Sequence, residues 1–94
     1  KDIKQISNAL EKINSIRGVT YNRTDLQDKD RRYAGVIAQE IEKVLPEAIF
    51  EDNLKSVDYN ATIALLIEAI KEQQAYINRL EEKIDSIVQK LEDK

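Results

Sequence analysis

The last third of the chain sets the tightest limit on its fold. Between Asp58 and Lys94 there is no Gly and no Pro, and apolar residues recur every seven positions at Ile63, Ile70, Ile77, Ile84 and Leu91. Leu66, Gln73, Leu80 and Ile87 stand three places after the first four of these. This is the a/d seam of a coiled coil. Asp58 or Asn60 can cap the helix, which from Tyr59 onward spans about 50 Å at ~1.5 Å per residue. The residues before Tyr59 are too few to cover such a length, so the end of the helix needs partners. Its start, "ATIALLIEAI", is apolar on a wider arc because Leu65, Ile67 and Ala69 join the seam. That part is expected to pack on the rest of the domain as well as on partner helices. Parallel, in-register association brings Gln73 against Gln73. Ile at nearly every a position with Leu, Gln, Leu and Ile at d leaves two and three strands both open.

The preceding residues read as a small mixed domain. "SNALEKINSIRG" predicts a first helix, with Ser7 as N-cap and Ile6, Ala9, Leu10, Ile13 and Ile16 on one side. Arg17 and Gly18 mark its end. "VTYNRT" alternates as a strand does. Residues 25–32, "DLQDKDRR", form a solvated charged connection without the ligand series of a calcium loop. In "AGVIAQEIEKVLPEAI" the spacing of Val36, Ile37, Ile41, Val44 and Leu45 predicts a second helix. Gly35 marks its start, by close backbone packing or a positive φ. Pro46 stops it near Leu45. "AIF" and "KSV" flank a tight turn as two short strands. Glu40 has no acid or base partner in the sequence, so this stretch reads as packing rather than chemistry.

Composition removes several functions. There is no Cys and no His, which excludes zinc sites, thiol nucleophiles, disulfides and His-based acid–base catalysis. The net charge is −3 and no Lys/Arg cluster escapes its neighbouring acids, so no nucleic-acid partner is expected. The apolar run "ATIALLI" is far short of a membrane span, and no signal peptide pattern opens the chain. Neither a membrane contact, a metal nor a cofactor is expected. Lys1 reads as an arbitrary start within a larger protein.

"LEKINSIRGVTYN", "YAGVIAQEIEKVLPEAI", "KSVDYN" and "ALLIEAIKEQ" resemble, in order, the blocks of the intramolecular chaperone domain of phage tail spikes and fibres, the peptidase S74 family. The resemblance runs from Lys1 to about Gln73; beyond it lies a generic coiled coil. It implies a head over 1–73, including the start of the long helix, and a stalk over 74–94. It implies a homotrimer that assembles an upstream β-structured fibre of the same polypeptide in the host cytoplasm and is then cut from the virion fibre. The cut resembles Ser-Lys chemistry, in which a Lys of lowered pKa serves as base. By the family's pattern Lys1 falls one place after that Lys, so both cutting residues are expected upstream and none within this chain. Ser7 and Lys12 share the family's spacing, but Ser7 is better explained as a cap, and Ser86 with Lys90 are solvent-side heptad positions.

The fold class expected is α+β. A small helical head with short β-strands precedes a long C-terminal helix forming a parallel coiled coil, trimeric by the resemblance. The seam residues Ile63, Leu66, Ile70, Gln73, Ile77, Leu80, Ile84, Ile87 and Leu91 are the candidate oligomerisation site. Two other readings are a coiled-coil adaptor of a cellular protein and a related trimerising domain of a membrane-tethered transcription factor.

Overall fold

A computed structural model describes residues 1–24, 30–51 and 55–94. The order of elements is α1 (Ala9–Asn14), β1 (Gly18–Asn22), β2 (Arg32–Val36), α2 (Ala38–Val44), a 3₁₀ turn (Pro46–Ala48), β3 (Ile49–Glu51), β4 (Lys55–Val57) and α3 (Tyr59–Glu92). This is the α+β arrangement expected, a small helix-and-strand region followed by one long helix.

α3 begins where Asp58 stands ready to cap it. The Asp58 carboxylate accepts the backbone N–H of Asn60 at 3.0 Å, which satisfies a donor of the open first turn. The Asp58 N–H donates in turn to the Ala48 carbonyl at 2.6 Å and ties the start of α3 to the 3₁₀ turn. Pro46 acts as expected: Leu45 leaves helical geometry at φ −147°, and Pro46 opens the 3₁₀ turn, where a missing N–H costs nothing. β3 and β4 pair antiparallel, with Ile49 opposite Val57 and Glu51 opposite Lys55. They are the two short strands expected; residues 52–54 between them lie outside the described residues.

Three expectations need correction. α1 is shorter than read, and Ser7 is not its N-cap. Asn8 occupies that place in the left-handed region, φ 53°, and no side chain of the segment caps the helix. Gly18 does not close α1 but opens β1. Ser15 ends the helix instead, its hydroxyl donating to the Lys12 carbonyl at 2.8 Å. Residues Arg32–Val36 form a strand that the sequence reading missed, paired antiparallel with β1 from Gly18↔Val36 to Asn22↔Arg32. Val36 and Ile37 therefore precede α2, with Ile37 extended at its N-cap. Cross-strand contacts hold the hairpin. Tyr21 stacks across the strands on Tyr33 with centroids 5.9 Å apart, and Arg31, on the same side of the hairpin as Tyr33, lies 4.7 Å over that ring. Arg32 spans the strands to the Thr20 hydroxyl at 2.6 Å and to the Asn22 side chain. Of the connection expected over 25–32, residues 25–29 lie outside the described residues.

The core is a single small layer. Ala9, Ile41, Leu45, Ala48, Leu65 and Ala69 are buried, and Ile6, Leu10, Ile13, Ile16, Val36, Val44, Ile49 and Ala61 pack around them. The molecule measures 69 × 41 × 17 Å. Its Cα radius of gyration is 19.6 Å, whereas a compact domain of this length has about 12 Å. The long helix projects beyond anything the head can cover.

Candidate assembly surface

α3 presents two faces. Ala61, Leu65 and Ala69 recur every fourth residue and face the head; Leu65 is fully buried against it. Leu65 and Ala69 thus pack on the head, as expected for the start of the helix, while Ile67 stays half-exposed. Glu68 and Glu72 extend the head-facing stripe by one turn, and Glu72 is the last residue of α3 that is not exposed. The heptad residues lie roughly a third of the way round the helix from this stripe. Ile63, Leu66, Ile70, Ile77, Leu80, Ile84, Ile87 and Leu91 all lie open, from 41% at Ile77 to 63% at Leu91. Gln73 is exposed in the same row. Tyr59, half-exposed, falls four residues before Ile63 and carries the row back to the first turn of the helix. The accessible surface of the chain is 7930 Å², against about 5,500 Å² for a folded monomer of this mass. Much of the difference is this uncovered helix.

Carboxylates fix the elements around the start of α3. The sequence offered Glu40 no partner; the fold brings it to Arg17, across the junction of α1 and β1. One carboxylate oxygen accepts the Arg17 backbone N–H at 3.1 Å and the other accepts the guanidinium Nε at 2.9 Å. The Arg17 hydrogen bond, helped by its charge, lowers the Glu40 pKa against a smaller opposing effect of desolvation. Lys55 of β4 reaches Glu42 of α2 at 2.6 Å and lowers its pKa in the same way. Glu68 accepts from the Gln5 amide at 2.7 Å and from Lys71 at 3.3 Å, and its pKa is lowered chiefly by Gln5.

Glu72 does what Ser7 was expected to do. Its two carboxylate oxygens accept the backbone N–H groups of Ala9, at 2.7 Å, and Leu10, at 2.9 Å. The cap of α1 thus comes from a helix more than sixty positions later in the chain. No local signal could have revealed it, since capping motifs act over about three residues. Ser7 is exposed in the segment before α1, and Ser86 and Lys90 are exposed on α3. No helix among the described residues is long and apolar enough to cross a membrane.

The fold and its open face define a small α+β domain built on one end of a long amphipathic helix. The family model described as chaperone of endosialidase, peptidase S74, matches residues 1–50. The long tail fiber protein Gp37 of Enterobacteria phage K3 is 35% identical over 91 residues, covering 88% of this chain and 7% of its own length. The Gp37 proteins of Enterobacteria phage M1 and Salmonella phage S16 are 35% and 33% identical, covering 82% and 93% of this chain. The chain spans only 34% and 13% of their lengths. The chain belongs to the peptidase S74, chaperone of endosialidase, family. The matched stretch contains both "LEKINSIRGVTYN" and "YAGVIAQEIEKVLPEAI", so the likeness of these blocks is not a chance companion of the heptads.

Proposed function

We propose that this chain is the intramolecular chaperone of a phage tail fibre, acting as a parallel homotrimer. The observation that carries the reading is the uncovered row of apolar residues on α3, set on a head of this family. Ile63, Leu66, Ile70, Gln73, Ile77, Leu80, Ile84, Ile87 and Leu91 form the seam between the three helices. Residues 1–73 are the head and 74–94 the stalk, a division supported by the exposure of every α3 residue after Glu72. Three strands rather than two are supported by the half-exposed Ile67 and Val88, which take e positions. A two-stranded coil buries little beyond a and d, whereas a third helix widens the covered arc.

The mechanism follows from chain entropy. Non-local β pairing between chains requires closing long loops before any contact is gained. A helical seam needs only local structure within each chain. Once three seams have joined, the segments attached to the heads meet at a raised effective concentration. In this reading the segments are β-structured fibre chains of the same polypeptide, assembled in the host cytoplasm. The chaperone is then released from the virion fibre by autoproteolysis, carried out by a Ser and a Lys outside these 94 residues.

Sedimentation equilibrium at micromolar concentration tests the trimer. The expected mass is three times 10.8 kDa. A monomer at all concentrations sinks the proposal, and a dimer replaces it with the adaptor reading.

A further inference from the structure

The cap that Glu72 places on α1 sits roughly a third of the way round α3 from the seam. Ile70 and Gln73, both exposed on the seam side, bracket Glu72 within one helical turn. From its own face of that turn Glu72 holds Ala9 and Leu10, and one turn earlier Glu68 holds Gln5. The segment from Gln5 to Leu10 is thereby fastened along α3. Ile6, Ala9 and Leu10 pack on the core, but the segment supplies no cap for its own helix. α1 is only six residues long, and Asn8 is in the left-handed region. A helix this short does not persist in water without tertiary support. Two backbone donors of its first turn depend on one carboxylate.

We propose that Glu72 is a positioning residue of assembly, through which association of α3 and ordering of residues 5–10 become one coupled step. The inference rests on the proposed association of α3. Seam contacts at Ile70 and Gln73 hold the turn helical and so present the Glu72 carboxylate in place. By linkage the cap strengthens association by the same factor that association strengthens the cap. The seam thus reaches the N-terminal segment, the part of the head through which any preceding chain arrives.

The test uses this chain with Glu72→Ala, Glu72→Gln and the seam variant Ile77→Asp. Amide hydrogen exchange is read at Ala9 and Leu10, and association constants are measured by sedimentation. Glu72→Ala is expected to lower protection of these two amides by roughly two- to thirtyfold, the range of a lost N-cap, and to weaken association. Glu72→Gln falls between, because a carboxamide oxygen still accepts. Ile77→Asp, remote from α1, is expected to lower protection at the same amides as it dissociates the chains, an effect that a purely local cap would not produce. Unchanged protection in Glu72→Ala overturns the proposal. Lost protection with an unchanged association constant overturns the coupling and leaves the trimer standing. A wild-type chain that never associates removes the trimer reading and the coupling with it, and Glu72→Ala then reports a local cap alone.

Discussion

Glu40 grips Arg17 by both its backbone and its side chain: one carboxylate oxygen takes the peptide N–H and the other takes the guanidinium. The pair joins α2 to the end of α1, and its geometry lowers the pKa of Glu40. Glu42 and Glu68 are lowered as well, by Lys55 and by Gln5 in turn. A carboxylate whose folded pKa lies below its unfolded value contributes stability that is fully present above the unfolded pKa, about 4.3 for Glu. That contribution is lost as the pH falls through the folded pKa. Stability is therefore expected to drop as the pH falls below about 4.3. Urea denaturation of the wild type and Glu40→Gln should differ at neutral pH and converge in acid. A gap that stays constant with pH would place the role of Glu40 in packing rather than charge.

Gly35 and Tyr59 share one space. A Cβ added to Gly35 would lie 2.8 Å from the Tyr59 hydroxyl, while the glycine keeps an ordinary negative φ. The expectation of close backbone packing here is met, and that of a positive φ is not. Gly35→Ala is expected to destabilise the chain by about 1 kcal/mol, the low end of overpacking, because the obstructing atom is the tip of the half-exposed Tyr59 side chain. The same change in a Tyr59→Phe background should cost less, since the obstructing oxygen is gone. Equal costs in both backgrounds would show that Tyr59 moves aside freely.

The features legible in the sequence share a short range. Asp58 caps a helix two residues away, Pro46 ends one at its neighbour, and Ile49 pairs with Val57, a near neighbour in the chain. The long helix was legible because its period repeats without interruption. What could not be read depends on distant partners. Glu40 finds Arg17, and Ala9 finds Glu72, only after the chain has folded back. β2 was missed because Val36, Ile37 and Ile41 also fit a helical spacing, and because Ala34 and Gly35 are weak strand formers. The stacking of Tyr21 on Tyr33, which supports the hairpin, appears only once the register is known.

The two faces of α3 are expected to separate experimentally. Leu65 is fully buried against the head, so Leu65→Ala removes packing that no rearrangement of an exposed face can replace. It should cost about 2–5 kcal/mol and loosen the head. Ile84 is 58% exposed and lies outside the core cluster of the head. Ile84→Asp should leave the head's hydrogen-exchange pattern close to that of a dissociated wild-type chain. Association should weaken by roughly a hundredfold or more, because assembly would bury unpaired carboxylates. Comparing thermal unfolding with sedimentation for the two variants checks the assignment. Loss of head structure in Ile84→Asp beyond that of dissociated chains would mean that the faces are not separate.

Gln73 is the one polar residue in the a/d row from Ile63 to Leu91, and it follows directly on the cap residue Glu72. In a parallel bundle its copies meet at a single layer, where they hydrogen-bond to one another or to a trapped water. Such a layer costs stability relative to an apolar one, because amides leave bulk water for a small enclosed space. It also penalises sliding. A shift by one heptad would set each amide against Leu66 or Leu80 and leave it unsatisfied, whereas a uniform apolar seam tolerates the shift. Gln73→Leu is therefore expected to raise the melting temperature while broadening the distribution of oligomers. Thermal denaturation and native mass spectrometry of both forms measure the two effects separately. A lower melting temperature would mean that the amides are fully satisfied in the assembled layer or that Gln73 faces away from it. In the second case the seam would need a different register, which Ile70→Asp and Ile77→Asp would then locate by whichever fails to dissociate the chains.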